Sequence, residues 1–418
     1  MKDSTKKGSC LAFVIWSTLS AFYFYQFIAR SSFITVLTDE FMKYFNIDTA
    51  GIGFLGSCYY WIYTLMQIPA GVIVDKCSTK LVAVFTTLTC VLGLFILVCT
   101  SDVRVAGFGE MLMGFGSAFA FVLVVKAIVT WFPAKKVPIM TSFAMSMGTL
   151  GPVVGGPAVA SIVKSFNWID VIRTFCLIGV GLAALIWLVV RDKEEELHET
   201  HSKISLIEAI KRIVSSSQAW VLALITMAIY SPLSALGDLW GVMFIKVAYG
   251  LDAEPAAWAN NMLYLGVVIG SPLFAYSATL LKSFKKPMMI GAMGAFTFLF
   301  IIVYLNSYVS TQALFVLFFL MGFSCGSMLA YPLALAIFPK SIGATVTGFV
   351  NMMSMVSGII LMPTVGFVIK HFWDGTVVNG LQVYKLNDFQ WGLSPVLAFL
   401  GLGIVLSFFI KDRSPTDD

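Results

Sequence analysis

Four ionisable side chains lie inside long apolar runs of the sequence: Arg30, Glu110, Lys126 and Asp238. A charge at bilayer depth costs at least about 2.5–3.5 kcal/mol even on lenient insertion scales, so such residues are read first as functional. Arg30 offers a planar guanidinium fork that grips a carboxylate or phosphate through two parallel hydrogen bonds. One helical step back from it come Gln26 and then Tyr23, which puts an amide and a phenol on the same stripe. The structural alternative is an internal ion pair of Arg30 with Glu110 or Asp238. Burial and a neighbouring cation act on a carboxyl's proton affinity in opposite directions, so Glu110 and Asp238 are candidate proton carriers. Lys126 follows Glu110 by sixteen residues, about 24 Å along an ideal helix, so it is either a separate substrate contact or a lysine snorkelling to the interface. Neutral polar candidates for a solute site are Tyr60, Tyr63 and Gln67 on one stripe, Asn261 with Tyr264, Tyr331, and Asn351. A few polar groups in an aromatic wall suit a small polar solute better than a greasy one.

These residues need elements to hold them, and composition says which. The 418 residues are 59% hydrophobic and 12% charged, against roughly 25% charged in soluble domains. A helix needs about 20 mainly apolar residues to cross a bilayer, and twelve stretches meet that length: 11–37, 50–73, 81–100, 104–130, 137–164, 169–190, 216–246, 255–281, 287–306, 311–338, 341–370 and 391–410. They are numbered spans 1 to 12 below. The sequence therefore predicts an all-α membrane protein of 12 transmembrane helices. It is arranged as a bundle over 1–190, a polar linker with an amphipathic helix over 191–215, and a second bundle over 216–418. Pro133, Thr141, Phe143 and Pro157 recur 206 residues later as Pro339, Thr347, Phe349 and Pro363, the mark of two parallel six-helix repeats. Eighteen of the 27 Lys and Arg fall on the side of the termini and seven on the other, which makes both termini cytoplasmic. Absence of any Asn-x-Ser/Thr acceptor suits a bacterial inner membrane.

The same pattern excludes other classes. The basic residues sit in short loops rather than in one patch, so no nucleic-acid partner is expected. The seven cysteines have no Cys-x-x-Cys spacing and read as free thiols, and His198 and His201 read as solvated linker residues rather than metal ligands. No catalytic triad, metal cluster or phosphate-binding loop is present, so an enzyme, a cofactor and a metal site are not expected.

The turn after span 2 runs Gly71-Val72-Ile73-Val74-Asp75-Lys76-Cys77-Ser78-Thr79-Lys80. It resembles the G-x-L-x-D-R-x-G-R-K loop of the major facilitator superfamily at Gly71, Asp75, Lys76 and Lys80. Span 5 carries Gly148-Thr149-Leu150-Gly151-Pro152 and Gly155-Gly156, similar to that family's glycine-proline helix. The resemblance implies two six-helix bundles related by a pseudo-two-fold axis, with spans 1, 4, 7 and 10 lining a central cavity. It also implies a conformational latch at Gly71, Asp75, Lys76 and Lys80. Tyr23 to Ser31, the Trp131-Phe132-Pro133 turn and Gln67 to Gly71 resemble the branch of organic-anion symporters. Gly116 to Phe121, followed by Lys126, is similar to uncharacterised bacterial nutrient permeases. One departure stands out: where that branch usually has Arg and then Glu on span 4, this chain has Glu110 and Ser117. The implied activity is secondary active import of an organic anion, amino acid or short peptide by alternating access, coupled to protons, by a monomer in the lipid bilayer. A proton-antiport exporter of a metabolite or siderophore-like compound is the alternative.

Overall fold

The computed structural model describes residues 2–133, 136–192, 206–339, 342–378 and 381–413. The acidic run from Glu194 to Glu196, together with His198 and His201, lies outside them. Eleven helices among the described residues are long and apolar enough to cross a membrane. Span 2, Thr49–Lys76, has the length at 28 residues, but its tyrosine and glutamine stripe lowers its apolar content. Large side chains such as Phe85, Leu177 and Leu188 are more than 60% exposed, as expected where lipid replaces water. Beyond the helices, the described residues include a short ribbon pairing Val377–Val378 with Leu381–Gln382.

Two spans are irregular at matching places. Span 1 is α-helical over Lys2–Phe27, widens into a π-turn at Ile28–Ser32 and resumes at Phe33–Val36. Span 7 does the same: Ser217–Pro232, a π-turn at Leu233–Trp240, then Gly241–Tyr249. Across Pro232 and Gly237 the chain widens and continues as helix. Span 4 is one unbroken helix, Val103–Trp131. Gly114 and Gly116 therefore do not bend Lys126 back toward Glu110; a Cβ on them would strike the Tyr59 and Thr86 carbonyls at 2.2 and 2.4 Å.

The chain divides into two compact units, Met1–Phe33 with Cys58–Thr200, and Ile34–Ser57 with His201–Asp418. In the first, spans 3 and 4 cross with backbones touching: a Cβ on Gly93 would lie 2.3 Å from the Gly109 carbonyl oxygen. Span 5 packs its small residues on span 1, with Gly148 under the Tyr23 ring and Gly155 against Ser32 and Ile28. In the second unit, spans 8 and 10 meet as closely, at Gly322 and Leu263. The expected division followed the order of the chain; by packing, the stretch 34–57 groups with the second unit. The reason is a tight seam with span 11, Gly343–Phe372. A Cβ on Gly53 would come within 2.5 Å of the Met362 carbonyl oxygen, and one on Gly366 within 2.1 Å of that of Thr49. The Thr49 hydroxyl also donates to the Gly366 carbonyl at 2.9 Å.

Candidate functional site

In the first unit the polar centre is built around Arg30, which is only 6% exposed and sits in the middle of the π-turn of span 1. A π-turn inserts one extra residue per turn and turns side chains off the regular helical stripe, a geometry found often at functional positions. Its Nη2 donates to the Tyr60 hydroxyl oxygen at 3.0 Å. The guanidinium carbon lies 5.3, 5.5 and 5.1 Å from the ring centres of Phe27, Tyr59 and Tyr60. Such ring faces stabilise a desolvated cation without neutralising it. The Tyr59 hydroxyl donates to Gln26 Oε1 at 3.3 Å, and the Tyr59 and Tyr63 rings stack at 5.5 Å. Arg30, Gln26, Tyr60 and Tyr63 thus stand together, with Tyr59 added to them. Tyr59 precedes Tyr63 by one helical turn, a spacing visible in the sequence. Tyr23 faces elsewhere, packed against Phe27, Phe121 and Gly148. The Gln67 amide donates to the Tyr63 carbonyl at 3.4 Å.

Glu110 is buried, 3% exposed, beside Cys58. Among the described residues its carboxyl has no hydrogen bond and no ion pair, so the Arg30–Glu110 pair weighed from the sequence is not formed. Ser117, in the place where the similar branch carries Glu, meets Cys90 at 3.6 Å and lies against Tyr59. Lys126 contacts no member of this cluster. Its ammonium donates to the carbonyls of Val74 and, at 3.4 Å, Cys77. It therefore caps the end of span 2, a favourable place for a cation because unsatisfied carbonyls collect there.

The second unit repeats the arrangement with the charge reversed. Asp238, 1% exposed, lies in the π-turn of span 7, and its Oδ1 accepts from the Tyr264 hydroxyl of span 8. Beside it, Asn260 donates from its amide to the Gly237 carbonyl at 3.2 Å, and Ser234 meets Ser357 at 2.8 Å. In each unit, then, the first helix widens at a charged residue and a tyrosine of the second helix bonds to that charge. Asn261 is buried on the same span. Tyr331 and Asn351 pair with each other, phenol to Oδ1 at 3.1 Å.

The loop after span 2 carries the candidate latch residues Gly71, Asp75, Lys76 and Lys80. Asp75 is exposed, with no ion pair among the described residues. The carboxylate that meets this loop is Asp192, just beyond span 6. It accepts from the Ser78 hydroxyl, the N-cap of span 3, and from the Lys80 amide at 3.3 Å. The Lys80 ammonium stands 4.4 Å over the Trp187 ring. Asp412 repeats this at span 9, accepting from the Ser283 hydroxyl at 2.6 Å and the Lys285 amide at 3.1 Å. The signal was present in the sequence: Ser-x-Lys opens spans 3 and 9, while Arg191-Asp192-Lys193 and Lys411-Asp412-Arg413 follow spans 6 and 12.

A membrane helical protein built from two such repeats, with a buried charge on the first helix of each, has the construction of a solute carrier. The Major Facilitator Superfamily profile matches residues 19–363, and the chain belongs to that superfamily. It is a multi-pass membrane transporter, not an enzyme. The chain is 24% identical over 297 residues to the uncharacterized transporter YybO of Bacillus subtilis (strain 168), covering 66% of this chain and 68% of that one. It is 21% identical over 394 residues to the probable galactarate/D-glucarate transporter GudP of Escherichia coli (strain K12), covering 84% and 85%. Among solved structures, it superposes on a bacterial homolog to the human lysosomal transporter Spinster, in an inward-facing and unoccupied conformation. The TM-score is 0.80, at 16% identity and 96% coverage of each chain.

Proposed function

We propose that this carrier imports a small organic anion, with sugar acids as the leading class and acidic amino acids or short peptides next, in symport with protons. Arg30 is the anion clamp, oriented by Tyr60, while Gln26, Tyr59 and Tyr63 shape the polar wall. Glu110 and Asp238 carry the protons, and the protein works as a monomer in a bacterial inner membrane with cytoplasmic termini. The observation that carries this reading is a buried guanidinium at the centre of the span 1 π-turn, bonded to the Tyr60 phenol and faced by three aromatic rings. The names of relatives such as GudP, a probable galactarate/D-glucarate transporter, support the substrate class. A desolvated carboxyl without a partner cation is costly in its charged form, so Glu110 is suited to exchange a proton when its surroundings change.

The test is uptake of labelled D-glucarate into proteoliposomes under an imposed proton gradient, acid outside. Wild type accumulates the solute, Arg30→Ala abolishes uptake, and everted vesicles load only by counterflow. Uptake by Arg30→Ala at the wild-type rate removes the clamp. Accumulation in everted vesicles driven by internal acid makes the protein an exporter.

A further inference from the structure

The second unit carries a cavity between the short helix Thr38–Phe45, the last turns of span 7 and the residues 382–384. Its volume is about 620 Å³, and Asp39, Lys43, Asp48, Lys246, Gln382 and Tyr384 line it together with methionine, valine and isoleucine side chains. That size falls in the range of small-molecule pockets, roughly 300–1,000 Å³. Its acids are unequally committed. Asp48 is tied into the fold, through Lys370 at 2.6 Å and the Gly51 amide at 3.0 Å. Asp39 holds the Lys246 ammonium at 2.5 Å, in a pair whose side chains are 32% and 45% exposed, and the neighbouring Glu40 carboxylate also feels that ammonium's charge. Ion pairs as open as this contribute little and exchange readily. Lys43 lines the same cavity, with no carboxylate against it among the described residues. The cavity thus has one ammonium available and one held by a weak, replaceable partner.

We infer that this cavity is a second binding site, for a small carboxylate, recognised by Lys43 and Lys246 in competition with Asp39. A carboxylate bridging the two ammoniums takes over the place of Asp39. Asp39 belongs to the short helix Thr38–Phe45 and Lys246 to the last turns of span 7. Occupancy therefore loosens the tie between the segment 34–57 and span 7, while the seam with span 11 and the Asp48–Lys370 pair remain. In the orientation proposed above this end of the second unit faces the outside.

The experiment is calorimetric titration of the purified full chain with D-glucarate and with succinate, at constant ionic strength and with mannitol as control. Arg30→Ala removes the central clamp and leaves the cavity residues in place. Saturable carboxylate binding persists in Arg30→Ala and weakens about tenfold or more in Arg30→Ala/Lys43→Gln/Lys246→Gln, as loss of charge-assisted bonds requires. Asp39→Asn tightens binding several-fold, because the competitor is gone; a purely structural Asp39 would weaken it or leave it unchanged. Absence of saturable binding in Arg30→Ala, or binding indifferent to Lys43 and Lys246, overturns the inference. Should Arg30→Ala not fold, wild type replaces it: two classes of site, one sensitive to Lys43→Gln/Lys246→Gln, support the cavity, and a single insensitive class refutes it. Binding that depends only on the cavity lysines, with no transport, would leave this site standing and defeat the Arg30 clamp.

Discussion

The Arg30–Tyr60 pair makes a quantitative demand on binding. Arg30→Lys keeps the positive charge but replaces a fork with a point, so one of two bonds to a solute carboxylate is lost. A hydrogen bond to a charged group contributes about 1.5–3 kcal/mol, which corresponds to a roughly 10- to 150-fold rise in Kd. Tyr60→Phe removes the acceptor that holds Nη2 at 3.0 Å. The guanidinium keeps its three ring faces but loses that bond, at a cost of about 1 kcal/mol. An ammonium cannot satisfy the same geometry with that phenol. Tyr60→Phe made in the Arg30→Lys background therefore changes Kd very little, and the double-mutant cycle shows coupling of about 1 kcal/mol. The assay is equilibrium binding of D-glucarate to purified protein, with melting temperatures confirming that each variant is folded. Wild-type affinity in Arg30→Lys, or costs that add within about 0.3 kcal/mol, would refute the view that Tyr60 aims the guanidinium.

Glu110→Gln should keep solute counterflow but abolish accumulation driven by a proton gradient; retained accumulation, read from labelled solute, would move the proton to Asp238 or elsewhere. Gly366→Leu puts bulk where a Cβ already meets the Thr49 carbonyl oxygen at 2.1 Å. It should open the seam of the second unit, raising thiol labelling of a Thr49→Cys probe above that of the same probe with Gly366 intact. Asp192→Ala and Asp412→Ala each remove the acceptor that caps a helix start. Each should cost about 0.5–2 kcal/mol, seen as a lowered melting temperature with solute affinity unchanged. Burial alone would raise the pKa of Asp48, but the bond from Lys370 and those from the Gly51 and Ala50 amides outweigh it and hold it below the ordinary carboxylate value. The contribution of this group is therefore complete above that ordinary value and disappears as pH falls through the lowered folded value. Thermal stability followed downward from pH 6 should lose an increment that is absent in Asp48→Asn.

What the amino-acid sequence determined alone was the part of the protein that depends on local sums. Whether twenty residues cross a bilayer is decided by their own transfer free energies, so the spans, the repeat and the family loop were legible without coordinates. So was the list of costly charges, because Arg30, Glu110 and Asp238 stand out in any apolar run. Partnership was not legible. Which phenol meets Arg30, why Glu110 faces Cys58 instead of Arg30, and why Lys126 turns to the carbonyls of Val74 and Cys77 depend on how each helix is rotated and where it crosses its neighbour. Those rotations are set by contacts between residues far apart in the chain, such as Gly93 on Gly109 and Gly53 on Met362. The π-turns at Arg30 and Asp238 belong to the same class, because one extra residue in a turn changes the facing of everything after it while leaving the hydropathy untouched.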